Sequence, residues 1–168
     1  MRRIMFPAIL VVVFAAAAAA GRFGLGLGLS FYQPAEEGSS FTPIYNANAY
    51  YWANRNVVPS LSVGYSRYTI SGTTYNYLPI IPRVTYHFRT TDWFDPYTGA
   101  GVVYARRWWN GTLDGDANSW GYTGLVGANF AVSDNFGFGL GVEYVVPDAG
   151  HFDTGYPGFT ISLGAGGF

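Results

Sequence analysis

The sequence predicts an all-β fold: an eight-stranded antiparallel up-and-down transmembrane β-barrel, preceded by a cleavable signal peptide. Three observations predict it. Bulky apolar residues alternate with small or polar ones over nearly the whole length after residue 20, the mark of strands with unlike faces. Charged residues make up 11% and aromatics 19%, against about 25% charged in ordinary soluble domains. No apolar run after residue 20 is long enough for a transmembrane helix, and only helices and closed barrels satisfy every backbone group in lipid.

Residues 1–20 read as a signal peptide. Arg2 and Arg3 form a positive start, Ile4 to Phe14 an apolar stretch, and Ala18-Ala19-Ala20 a small-residue cleavage site. The mature chain, 21–168, reads as a single β-barrel domain. Its first strand, Arg22–Tyr32, is followed by the polar stretch 33–40. The second runs Phe41–Ala53, with a tight turn at Asn54–Asn56, and the third Val57–Ile70, closed by the turn "SGTT". The fourth is Tyr75–Phe88 and the fifth Pro96–Trp109, followed by a polar loop, "NGTLDGDANS". The sixth is Trp120–Val132 and the seventh Phe136–Val146; a longer loop leads to the eighth, Gly158–Phe168. An even strand count puts both termini on the periplasmic side, with the shorter turns.

The stretch "RFGLGLGLSFY" shows why lipid is the expected solvent. Phe23, Leu25, Leu27, Leu29 and Phe31 form one face; Gly24, Gly26, Gly28 and Ser30 form the other. Strand seven repeats the pattern, with Phe138 and Leu140 against Gly137, Gly139, Gly141 and Glu143. A soluble sandwich puts charge opposite its apolar face. A greasy exterior around a narrow interior instead explains a bare inner face, since an eight-stranded barrel is just wide enough for side chains to fill. Aromatics near strand ends, such as Tyr51, Tyr86, Trp93 and Trp120, suit the two membrane interfaces. Proline removes a ladder donor, so Pro79 in strand four predicts a bulge or a place at the upper rim there, while Pro82 fits a closed barrel poorly.

Three segments, Val84–Phe88, Asp95–Ala105 and Val132–Tyr144, resemble small eight-stranded outer-membrane proteins of the OmpA/OmpX/OmpW type, the outer membrane protein beta-barrel domain. The resemblance implies a cell outer membrane location in a Gram-negative-type bacterium. It also implies partners: outer membrane lipids, lipopolysaccharide and the barrel assembly machinery. Such proteins end in an aromatic residue that this machinery reads. Phe168 is terminal here, but counting back by two from it gives the polar face.

Few charges face inward. Arg83, His87, Arg107 and Glu143 form a predicted lumen cluster, in which Glu143 accepts from Arg83 or Arg107 and plugs the barrel, because a charge in a low-dielectric lumen needs a partner. Asp114, Asp116 and Asn118 carry the spacing that opens a calcium loop and are candidate loop cation contacts. Ser119 and Leu125 stand where that loop needs glycine and glutamate, so no dedicated metal site is expected. His151 has Asp148 and Asp153 nearby, yet no compact Ser/His signature accompanies it. Cysteine is absent, all nine basic residues are arginine and the net charge is −1, which points away from disulfides, thiolate metal sites and nucleic acid. The expectation is a monomeric, non-catalytic barrel without cofactor, structural or surface-interacting. A narrow conduit for small hydrophobic solutes is the alternative, and a lipid-modifying enzyme comes third.

Overall fold

The computed structural model describes residues 23–32, 42–111, 114–134, 136–150 and 155–165. The expected signal peptide at 1–20, the polar stretch 33–40, His151, Asp153 and the terminal Phe168 lie outside them. Eight strands form one closed antiparallel barrel in chain order: β1 (Phe23–Tyr32), β2 (Thr42–Tyr51), β3 (Val57–Ile70), β4 (Thr73–His87), β5 (Phe94–Asn110), β6 (Gly115–Ser133), β7 (Phe136–Val146) and β8 (Tyr156–Ala165). Pairing of β1 with β8, from Leu25 opposite Ala165 to Phe31 opposite Phe159, closes the sheet. Closure removes the free edges that a bilayer cannot solvate.

Period-two alternation sets the faces. Leu27 is 70% exposed, and Leu25, Phe138, Leu140, Val142, Ile161 and Leu163 are exposed beside it. The glycines alternating with them point inward. At Gly24 this is a packing requirement: the Tyr50 ring lies over the position a Cβ would take. Between two aromatic belts, no outward position among the described residues carries a charge. Phe23–Tyr51, Tyr86–Phe88 and Phe130–Phe138 mark the belt near the termini, and Tyr104–Trp120 the opposite one. Such a girdled apolar band is the surface a barrel turns to hydrocarbon.

The strands are unequal. β1, β2 and β8 have 10 residues and β7 has 11, about what a tilted strand needs to cross. β3, β4, β5 and β6 have 14, 15, 17 and 19. Their excess rises past the last rung shared with β2, at Tyr45–Tyr65, and with β7, at Tyr122–Val146. This wall corrects the sequence reading of "NGTLDGDANS" as a loop: Gly115–Ser119 continues β6, opposite Trp109–Ala105. Polar composition misled there, because strands above the bilayer face water on their outer side. The turn after β3 is also shorter than "SGTT": Ser71 and Gly72 alone make it, at φ 49° and 81°, as a two-residue hairpin of this twist requires.

The bulge expected at Pro79 does not occur. Register is unchanged on both sides of β4: Val63–Ile80 and Ser66–Tyr77 keep one frame, as do Ile80–Tyr104 and Arg83–Gly101. The sheet forgoes local bridging pairs instead of shifting. Among the described residues, the register shifts between Ala131 and Ser133, beside the β6–β7 turn.

Candidate functional site

The inward residues fill the barrel in layers. Nearest the wall end, Tyr77 of β4 and Tyr156 of β8 meet across the lumen, their hydroxyls 2.8 Å apart. Ile44, Ile81, Val103, Ala105 and Val145 pack around them as a buried apolar cluster. Below this seal lies a charged layer. Arg83 Nη2 is 3.3 Å from Glu143 Oε1, with the two side chains 12% and 8% exposed. The same Oε1 accepts from the Thr123 hydroxyl at 2.7 Å. A buried carboxylate is tolerable only when paired and hydrogen-bonded, and β4 and β6 supply those partners to the β7 carboxylate.

Two small spaces flank the ion pair. One of about 120 Å³ lies toward the termini, lined by Asn48, Trp52, Arg83, Thr85, His87 and Tyr97 among others. The other, about 30 Å³, lies toward the tyrosine pair and is lined by Ser30, Asn46, Ser62, Arg83 and Glu143 among others. Both fall short of the roughly 300 Å³ at which small-molecule pockets begin.

The terminus-side end carries a second network. His87 Nδ1 is 2.6 Å from Asp95 Oδ2, and its Nε2 is 3.0 Å from Thr85 Oγ1. Its ring stacks on Tyr97 at 5.2 Å and meets Trp52 edge-on at 4.9 Å. Asp95 Oδ1 accepts the Arg89 backbone N–H at 3.1 Å, which helps hold Arg89 at φ 50°. The Arg89 guanidinium lies 4.3 Å over Trp52, and its Nε donates to the Arg55 carbonyl at 3.0 Å. The turns after β2 and β4 are thereby tied together.

The predicted cluster of Arg83, His87, Arg107 and Glu143 is therefore divided among three levels. Arg83 and Glu143 meet. His87 sits at the rim with Asp95. Arg107 faces inward on the wall, opposite Tyr77 and Ala117, and has no ion pair within 4 Å among the described residues. Strand tilt and length separate residues that parity alone places on one face. Asp95 falls one residue before the start expected for the fifth strand, and Thr123 offers only a hydroxyl, so neither stands out among the charged residues. Counting by two from Tyr97 and Leu125 would have placed both inward.

Asp114, Asp116 and Asn118 do not converge. Asp114 Oδ1 accepts the Gly111 N–H at 3.0 Å, Asn118 Oδ1 accepts from the Tyr104 hydroxyl at 3.1 Å, and Asp116 stands exposed opposite Trp108. Their spacing is that of a strand, where alternate side chains point one way but lie about 7 Å apart. No group of three potential metal-ligating side chains occurs among the described residues.

Thr85, His87 and Asp95 have the order of a nucleophile, base and acid. The Thr85 hydroxyl, however, also has the Val58 carbonyl as an acceptor, 3.1 Å away. Thr85 pairs with strands on both sides, so the ladder occupies the backbone N–H groups that an oxyanion would need. The arrangement fits a structural clasp.

A family model described as "Outer membrane protein beta-barrel domain" matches residues 6–166. Neisserial surface protein A is similar in structure at 20% identity and TM-score 0.70, over 87% of this chain and 97% of that one. So is Ail, the attachment invasion locus protein of Yersinia pestis, at 16% identity and TM-score 0.61, over 88% and 97%. OprG of Pseudomonas aeruginosa matches at 14% identity and TM-score 0.56, over 87% and 94%. At these identities the likeness is one of fold. No curated protein matches the sequence.

Proposed function

This chain belongs to the outer membrane protein beta-barrel domain family, and from that premise we propose that it is a non-catalytic, non-conducting barrel of structural or surface-interacting role. The observation that carries the reading is the layered lumen. A solute would have to pass the Tyr77–Tyr156 contact and the Arg83–Glu143 pair, and the spaces on the two sides of that ion pair are only about 120 and 30 Å³. The conduit reading needs a continuous path, and both layers stand across it. The wall of β3–β6 supports a surface role, because it carries hydrogen-bonded sheet beyond what crossing requires.

Conductance tests this reading. The purified barrel in planar lipid bilayers is expected to give no discrete current steps. Steady unitary steps from the unaltered protein would overturn it in favour of a conduit.

A further inference from the structure

Two arginines remain outside the lumen networks and face outward on the wall. Arg67 of β3 and Arg106 of β5 are both exposed. They are the first charged outward residues above the apolar band on their strands. Beneath them lies the row Val63–Ile80–Tyr104–Trp120, apolar and aromatic throughout. Their own level begins where polar outward side chains begin on β4 and β6, at Asn76 and Asn118.

The register fixes their separation. Arg67 is opposite Asn76, and Asn76 opposite Trp108, so Arg67 is two strands from Trp108 and Arg106 two residues below it. Strand spacing and rise put the two backbones about 12 Å apart, within the combined reach of two extended arginine side chains. The floor between them is built. Tyr65 donates its hydroxyl to Asn76 Oδ1 at 2.9 Å, and Asn76 Nδ2 donates to the Trp108 carbonyl at 3.4 Å. The Arg106 guanidinium lies 5.7 Å from the Trp108 ring. Neither arginine has an ion pair within 4 Å among the described residues. Among the described residues, the outward carboxylate at this level, Asp116, lies across Trp108 at the β6 margin.

Cations held just above an interfacial aromatic belt meet the headgroup layer, where each contributes through attraction to lipid phosphate. Guanidinium suits phosphate because it offers paired donors in one plane, and a flat indole beside it suits a sugar ring. We infer that Arg67, Arg106 and Trp108 form a docking site for a phosphorylated glycolipid headgroup of the outer leaflet. Direct arginine–phosphate contact takes the place of cation bridging through Asp114, Asp116 and Asn118.

The full barrel is folded into phosphatidylcholine vesicles, alone or with diphosphorylated lipid A, the same lipid A dephosphorylated, or phosphatidylglycerol. Thermal unfolding is followed by gel mobility. Diphosphorylated lipid A is expected to raise the unfolding temperature in a salt-sensitive way, with the other two additives giving little. The R67Q/R106Q variant should unfold in phosphatidylcholine alone as the unaltered protein does, but bind lipid A roughly thirtyfold more weakly, the factor two surface cations supply together. R55Q, at the opposite end, should keep the full gain. An undiminished gain in R67Q/R106Q, or an equal gain from phosphatidylglycerol, would overturn the assignment. Either result leaves the conductance test of the lumen unaffected.

Discussion

The barrel has two unlike halves. The flank, β7–β8–β1–β2, is short and, below the apolar seal, lined inside largely by glycine, serine and asparagine; the wall, β3–β6, is long and carries arginine and aromatic residues on both faces. The flank is about as tall as a bilayer requires, so its pattern is set by lipid outside and shortage of room inside. The wall outgrows the bilayer, and its upper part obeys the rules of a water-facing sheet. The halves meet in the lumen, where Arg83 of the wall and Glu143 of the flank make their ion pair. Bare inner positions on one side make room for long charged side chains from the other.

Breaking that contact should have the largest effect. Glu143→Ala leaves Arg83 buried without its counter-charge and is expected to cost about 3–5 kcal/mol. Urea unfolding in lipid vesicles measures it, and R83A/E143A should lose less than the sum of the single variants. An additive pair would mean that the two halves are not coupled there. The next effect lies where β6 parts from β7. A Cβ at Gly121 would fall on the Val146 carbonyl oxygen, so Gly121→Ala is expected to cost about 1–3 kcal/mol through forced displacement. Tyr77→Phe removes one hydroxyl from the seal and should cost about 1 kcal/mol, read from the same unfolding curves. Smallest is Gly124→Ala. It lies on the same strand as Gly121 but faces out, and a Cβ there meets nothing within 4 Å. Its effect should stay within about 0.5 kcal/mol. Equal losses at Gly121 and Gly124 would refute the assignment of faces on β6.

Much of this was legible in residue order. β3 and β7 start and end where alternation begins and stops, at Val57–Ile70 and Phe136–Val146. The outward positions of Leu25, Leu27, Phe138 and Leu140 followed from the same count. The misreadings share one cause. Gly115–Ser119 is polar enough to look like loop, and the count cannot reveal that a neighbouring strand rises to pair with it. Pro79 and Pro82 look like breaks in a strand taken alone, yet the neighbours on both sides hold their register.

The sequence by itself determined that the chain closes into a barrel with a greasy exterior and which side chains share its interior, because period two is a local property of an extended backbone. Only the tertiary structure decided heights and partners: Glu143 with Arg83, His87 with Asp95, Arg107 apart from both, and Arg67 level with the rim of the apolar band. Height depends on strand tilt and on the stagger between neighbours. Those are set by closure of all eight strands together and are written in no single one of them.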